Sequence, residues 1–206
     1  MIEIGDSMRE VNMYDFDNTI YDGESTVDFF LFCLKKKKNL IKYLPLVFST
    51  ALRYKLKLLS IDDLFSAASK MTSEFQKNDV DFHDLAKEFW ETKKSKLKFN
   101  FINMLTENDI VITASPRFLI EQIQPLLKTR RIICSEFDTK RGQFEFACYR
   151  ENKAIALKEQ YPQINVNYFY TDSMNDLFLM KFAKKSFLVK KNGKIILVQE
   201  TSITNS

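Results

Sequence analysis

The apolar positions of this chain change rhythm twice. Val11 to Tyr14 form a short apolar run that stops at two acids, Asp15 and Asp17, and this predicts a first strand. From Ser25 to Leu105 the apolar residues recur at helical spacing. Ser25 or Thr26 can cap a helix running into Lys35–Lys38. Leu40, Ile41, Leu44, Val47, Phe48 and Leu52 mark a second stretch, with Pro45 starting or kinking a helix inside it. Ser60 and Asp63 resemble a capping box ahead of Leu64, Phe65, Ala68, Met71 and Phe75. Val80, Phe82, Leu85, Phe89 and Trp90 predict another helix.

Beyond Leu105 strands and helices alternate. Asp109 to Ile112 reads as a strand, and Ser115-Pro116 as the cap and first position of a helix. Arg131 to Cys134 is a further strand, and Gly142 to Tyr149 alternates like a hairpin arm. Lys153 to Tyr161 is helical, Asn167 to Tyr170 a strand and Met174 to Ala183 a helix. Ser186 to Val189 and Lys194 to Val198 flank an Asn192-Gly193 turn and predict a terminal hairpin. The pattern specifies an α/β core with a Rossmann-like parallel sheet, helices on both faces and a helical insertion after the first strand. The expected core is residues 1–22 and 106–206, and the expected cap is residues 23–105. In such sheets a site lies beyond the carboxyl ends of the strands.

Composition narrows the class. The 206 residues suit one domain with an insertion, and 45% hydrophobic content supports a sizeable core. Nineteen Phe against four Gly favour helices with a bulky interior. A net charge of +4, from 31 basic and 27 acidic residues, is too small to imply nucleic acid, and none is expected as a partner. It suits a small anionic substrate. Cys33, Cys134 and Cys148 are odd in number and widely spaced, which argues against a disulfide framework or a zinc site. No basic region followed by an apolar stretch opens the chain, and Leu44 to Leu52 is too short to span a bilayer. A cytoplasmic protein is expected. The segment from Lys35 to Leu59 is basic and apolar, as interfacial helices can be, but an amphipathic cap helix packed on its neighbours explains it better, so no membrane association is expected.

The chemistry gathers at predicted strand ends. DFDNT places two carboxylates one residue apart, and they repel each other unless a cation or a proton compensates. Magnesium takes such oxygens, with water completing its shell. YTDSMND again sets acids, Asp172 and Asp176, after an apolar strand. In VITASP, Thr113 ends a strand and Ser115 opens a helix, as in a phosphate cradle. Lys153 lies in the first turn of its helix, where a cation opposes the helix dipole and so suggests another use. Each signal alone has an ordinary structural explanation: an acidic turn, an Asx turn, a cap or a surface lysine. His83, the single histidine, has no apparent nucleophile to serve and reads as a polar residue on a helix.

Together and in this order, Asp15–Thr19, Thr113, Lys153 and Asp172–Asp176 resemble the four signature motifs of the haloacid dehalogenase superfamily, closely those of its phosphoserine phosphatase-like branch. The resemblance implies a magnesium-dependent phosphatase acting on a phosphate monoester, such as phosphoserine or another small phosphorylated metabolite. It implies Asp15 as nucleophile and metal ligand, and Asp17 as general acid and base with its carbonyl on the metal. Thr113, with Ala114 and Ser115, would hold the phosphoryl group. Lys153 would orient Asp15, Asp172 would bind magnesium, and Asp176 would hold one of its waters. Glu24 stands where that branch often places a substrate-facing glutamate. Thr171 and Asn18 depart from the glycine or serine frequent there. A phosphomutase, a phospholipid-headgroup phosphatase and a non-catalytic binding protein on the same fold are the alternatives.

Overall fold

The computed structural model describes residues 11–36 and 81–200, together with single positions 42, 45, 49, 53 and 66. Apart from those single positions, the helices expected over Leu40–Leu52 and Leu64–Phe75, and most of the basic apolar segment, lie outside the described residues.

Among the described residues the strands form one seven-stranded sheet. They are β1 (Val11–Asp15), β2 (Ile110–Pro116), β3 (Arg131–Asp138), β4 (Gln143–Phe146), β5 (Val166–Thr171), β6 (Ala183–Val189) and β7 (Ile195–Glu200). Their order is β4-β3-β2-β1-β5-β6-β7. The inner five run parallel, and β4 and β7 close the edges antiparallel. The chain builds outward from β1 through β2 to β3, then returns to β1's other side with β5. The central strand therefore lies at the reversal of strand order, where α/β sheets open a crevice. The register sets Asp15 opposite Ile112 and Tyr14 opposite Tyr170, so Thr113 and Asp172 each follow closely on a neighbour of Asp15's strand end.

Alternation along β1 divides the core. Val11 and Met13 face a cluster with Ile110, Ile112, Ile133, Phe169, Ala156, Leu157, Leu179 and Met180. The last four come from helices α5 (Glu151–Gln160) and α6 (Leu177–Met180). Tyr14 faces the opposite cluster, supplied by α1 (Ser25–Lys36), α2 (Phe82–Lys93), α3 (Phe99–Met104) and α4 (Arg117–Ile120). The phenylalanines concentrate here: Phe29, Phe82, Phe118 and Phe137 meet ring against ring, with centroids 5.6–6.4 Å apart. The sole tryptophan, Trp90, is buried with its indole N–H donating to the Leu119 carbonyl at 2.7 Å. Its ring stands edge-on to Phe16 and Tyr21. Both described flanks of the 23–105 segment thus pack into one continuous core with the sheet.

Three local expectations change. The strand β2 runs on through Pro116, and α4 starts at Arg117 without a side-chain cap, because the Ser115 hydroxyl is engaged elsewhere. The helix expected over Met174–Ala183 is shorter: a 3₁₀ turn, Met174–Asp176, runs directly into the four residues of α6, and Ala183 already pairs with Val166 in the sheet. Ser25 is the first residue of α1, and its hydroxyl and that of Thr26 also point elsewhere. The terminal hairpin forms as expected, with Gly193 at φ 81° in its turn.

Candidate active site

Asp15 ends the central strand and is buried, with 6% of its surface exposed. Lys153, on the first turn of α5, is also buried and donates to Asp15 Oδ1 at 2.8 Å. Its ammonium lies 3.1–3.2 Å from the two oxygens of Asp176. Asp15 Oδ2 receives no hydrogen bond from the described residues. Sequence spacing placed the lysine against its own helix dipole; the structure shows the compensation, two carboxylates around one ammonium.

The charge balance of this cluster is negative. Burial raises the Asp15 carboxyl well above the usual carboxylate range, Asp176 and Asp172 add to the rise, and Lys153 opposes it. The Asp172 carboxyl is raised too, by burial first and by Asp176 second. Burial alone would lower Lys153, but Asp15 and Asp176 override it and hold the ammonium charged. Burial is the first cause for both carboxyls, and the neighbouring acids add to it.

Asp176 is buried against the lysine. The tight turn at Met174–Asp176, fixed by Asn175 N–H donating to Ser173 Oγ, swings its carboxylate back toward Lys153. Thr171 donates to Asp176 Oδ2 at 2.8 Å. Thr171, where glycine is frequent, therefore carries a hydroxyl that holds the lysine's second partner. Among the described residues no three His, Cys, Asp or Glu side chains converge as a metal cage. A cation here would rest on fewer carboxylates, backbone oxygen and water.

Asp17 is held at both oxygens. Ser25 N–H donates to Oδ1 at 2.7 Å, and Ser115 Oγ donates to Oδ2 at 2.8 Å. Burial raises this carboxyl, while the Ser25 and Ser115 hydrogen bonds oppose the rise. Thr113 is buried, and its Oγ1 accepts the Ser115 N–H at 3.0 Å, which leaves the hydroxyl proton unspent. Ala114, half-buried beside it, gives its carbonyl to Ser135 Oγ at 2.7 Å.

Between the first acids and α1 the chain makes a tight loop. Asn18 is left-handed at φ 58°, and its N–H donates to the Gly23 carbonyl at 3.0 Å. Lys98 Nζ donates to the Asn18 carbonyl at 2.6 Å. Gly23 sits at φ 134°, and a Cβ there would lie 2.8 Å from Lys96 Nζ. The Asn18 amide donates to Glu24 Oε1 at 2.7 Å. The Glu24 carboxyl is pushed up to about 7 by burial first and by Asp17 second. His83 is exposed on α2 and lies against Phe118. The three cysteines are buried free thiols, each pushed up to about 12 by burial.

The structure thus brings Asp15, Asp17, Thr113, Ser115 and Lys153 to one end of the sheet, with Asp176 behind the lysine. Sequence reasoning passed over Ser25, Thr26 and Thr171 as site residues. Their hydroxyls act across the fold, and no local pattern announces that.

Solved structures share the architecture. A protein of unknown function from Bordetella pertussis Tohama I superposes with a TM-score of 0.66 at 18% identity, over 85% of this chain and 87% of that one. A phosphoserine phosphohydrolase-like protein from Francisella tularensis subsp. tularensis SCHU S4 gives 0.58 at 17% identity, over 86% of each chain. A phospho-aspartyl intermediate analogue of phosphoserine phosphatase gives 0.54 at 15% identity, over 86% of this chain and 85% of that one. At these identities the likeness is one of fold. Curated protein sequences give no match. The family model for haloacid dehalogenase-like hydrolases matches residues 13–181, a span that holds the two acids after β1, Thr113, Lys153 and the acids after β5, and the chain belongs to that family.

Proposed function

We propose that this hydrolase is a phosphatase that cleaves a phosphate monoester in two steps through Asp15. The observation that carries the proposal is the division of labour on one carboxylate: Lys153 holds Asp15 Oδ1, and Oδ2 is left without a hydrogen bond. An oriented, half-engaged carboxylate at a strand end is what in-line attack on phosphorus needs. Asp15 Oδ2 forms a bond to phosphorus as the ester P–O bond breaks, and Asp17 gives its proton to the departing oxygen. Water then attacks the aspartyl-phosphate, Asp17 takes the proton, and inorganic phosphate leaves Asp15 free again. The Thr113 hydroxyl donates to a phosphoryl oxygen in both steps, and the Lys153 ammonium offsets the charge that builds there.

The donor set and its surplus of negative charge fit a magnesium ion. Asp15, Asp172 and the Asp17 carbonyl are the groups proposed to hold it, with Asp176 committed to Lys153. Magnesium would supply charge neutralisation at the phosphoryl oxygens. Glu24, steered by Asn18, is proposed to face the substrate's non-phosphate part, and the 23–105 segment to act as the cap that selects it. The phosphoserine phosphatase analogue among the similar folds supports a small phosphorylated metabolite such as phosphoserine, and the absence of any helix long and apolar enough to cross a membrane among the described residues is compatible with a cytoplasmic enzyme.

A screen over phosphorylated amino acids, sugars, nucleotides and lipid headgroups, with magnesium present, tests the proposal. Hydrolysis that is abolished in Asp15→Asn, with phosphate trapped on Asp15 by rapid acid quench and mass spectrometry, is the expected result. Undiminished turnover by Asp15→Asn would sink it.

A further inference from the structure

Ser115 follows the proposed phosphate-binding Thr113 by two residues, and by position alone it belongs to the phosphate cradle. Its hydrogen bonds say otherwise. A serine hydroxyl has one proton to give and two lone pairs to fill. The proton goes to Asp17 Oδ2 at 2.8 Å. Two further hydroxyls approach the same oxygen, Ser25 Oγ at 2.8 Å and Thr26 Oγ1 at 2.9 Å. With its one proton given to Asp17, Ser115 has none to donate to a substrate phosphate, and the residue is 99% buried.

The array converges on Asp17. Ser115 donates to Asp17 Oδ2, the Ser25 amide N–H takes the other Asp17 oxygen at 2.7 Å, and the Ser25 and Thr26 hydroxyls lie against the Ser115 hydroxyl. Cooperative polarisation along such a chain strengthens its last bond. Ser25 and Ser115 touch Asp17, Thr26 reaches it through Ser115, and the side-chain hydrogen bond to Asp15 comes from Lys153 instead.

We propose that Ser115, with Ser25 and Thr26 behind it, is a positioning group for Asp17, holding that carboxyl in the orientation from which it protonates the departing oxygen. The proposal rests on the phosphatase assignment above. It also gives the segment after β1 a second duty: its first helical turn sets the acid as well as starting the insertion.

The readout that separates positioning from phosphate binding is the leaving group. An alkyl alcohol needs a proton to depart, whereas an activated aryl alcohol needs little. In Ser115→Ala, kcat for an alkyl phosphate should fall by roughly 10–100-fold, part of the 10²–10⁴-fold available to general acid catalysis, while kcat for p-nitrophenyl phosphate changes less than about 3-fold. KM should stay within about 2-fold for both, and Ser115→Ala should add nothing further in an Asp17→Asn background. Thr26→Val, at a half-buried site and nearly isosteric, should show the same selectivity on a smaller scale, and it carries the test if Ser115→Ala does not fold. Equal losses on both esters, a rise in KM alone, or a loss that adds fully to Asp17→Asn would overturn the proposal while the parent enzyme still turns over. A parent that hydrolyses neither ester overturns the phosphatase assignment, and this proposal with it.

Discussion

Lys153 and Asp15 stand 138 positions apart in the chain, yet Lys153 Nζ reaches Asp15 Oδ1 at 2.8 Å inside the protein. This contact joins the third motif to the first, and it is structural as well as chemical. Truncating one partner of a buried pair leaves the other uncompensated, at a cost of about 3–5 kcal/mol. Here two carboxylates lose their partner. Lys153→Met should therefore lose turnover and also unfold at a lower temperature, whereas a surface lysine would do neither. With Lys153 gone, Asp15 binds a proton more readily folded than unfolded, so the loss should be larger at pH 8 than at pH 5. Thermal melts of parent and variant at both pH values, with EDTA present, check this.

The surplus of negative charge predicts a response to magnesium that needs no substrate. A ligand bound only by the folded state stabilises by about 2.7 kcal/mol at 100 times its Kd. Magnesium should raise the melting temperature of the parent and raise that of Asp172→Asn much less. Indifference of the parent melt to millimolar magnesium would count against the proposed ligand set, as would phosphatase activity that survives EDTA.

Glu24 supplies a second pH signature. Its carboxyl is pushed up to about 7 in the folded protein, from an ordinary value of 4.5. The folded state thus binds more protons between those values, and stability must fall as pH rises through that window. Glu24→Gln removes the effect. Measured in EDTA, the variant should match the parent near pH 4 and melt higher than the parent at pH 8. A constant difference across the range would show that this carboxyl titrates normally.

Arg150 precedes α5 at φ 48° and ψ −119°, and the Asn152 N–H closes a turn onto the Tyr149 carbonyl at 3.0 Å. This is the conformation of the first central residue of a type II′ turn, which glycine adopts without strain. The cation also lies at the positive end of the helix dipole. Arg150→Gly should raise stability by about 1 kcal/mol, read from denaturant midpoints. A drop in stability would mean that the guanidinium's stacking on Tyr149 outweighs the strain.

The fold was largely legible because its signals are local. Apolar strands ending in acids, a glycine turn before β7 and period-3.6 stripes such as Phe82, Leu85, Phe89 and Trp90 each announce themselves within a few residues. What was illegible depends on distant partners. Nothing near Ser115 in the chain says that two hydroxyls from α1 will converge on it, so its role as a helix cap was the natural expectation. The helix after β5 ends sooner than its apolar pattern suggests because Ala183 is taken up by the sheet beside Val166.

Trp90 has a use that its packing does not suggest. Its ring sits edge-on to Phe16, the residue between the two acids of the first motif, with centroids 6.1 Å apart and its N–H already satisfied. Being the sole tryptophan, it makes the protein's indole fluorescence a single-site signal from directly behind Asp15 and Asp17. Titrations with metal, phosphate or fluoride complexes can be followed optically, without a label and without turnover, provided that whatever binds at the two acids shifts Phe16 against its neighbour.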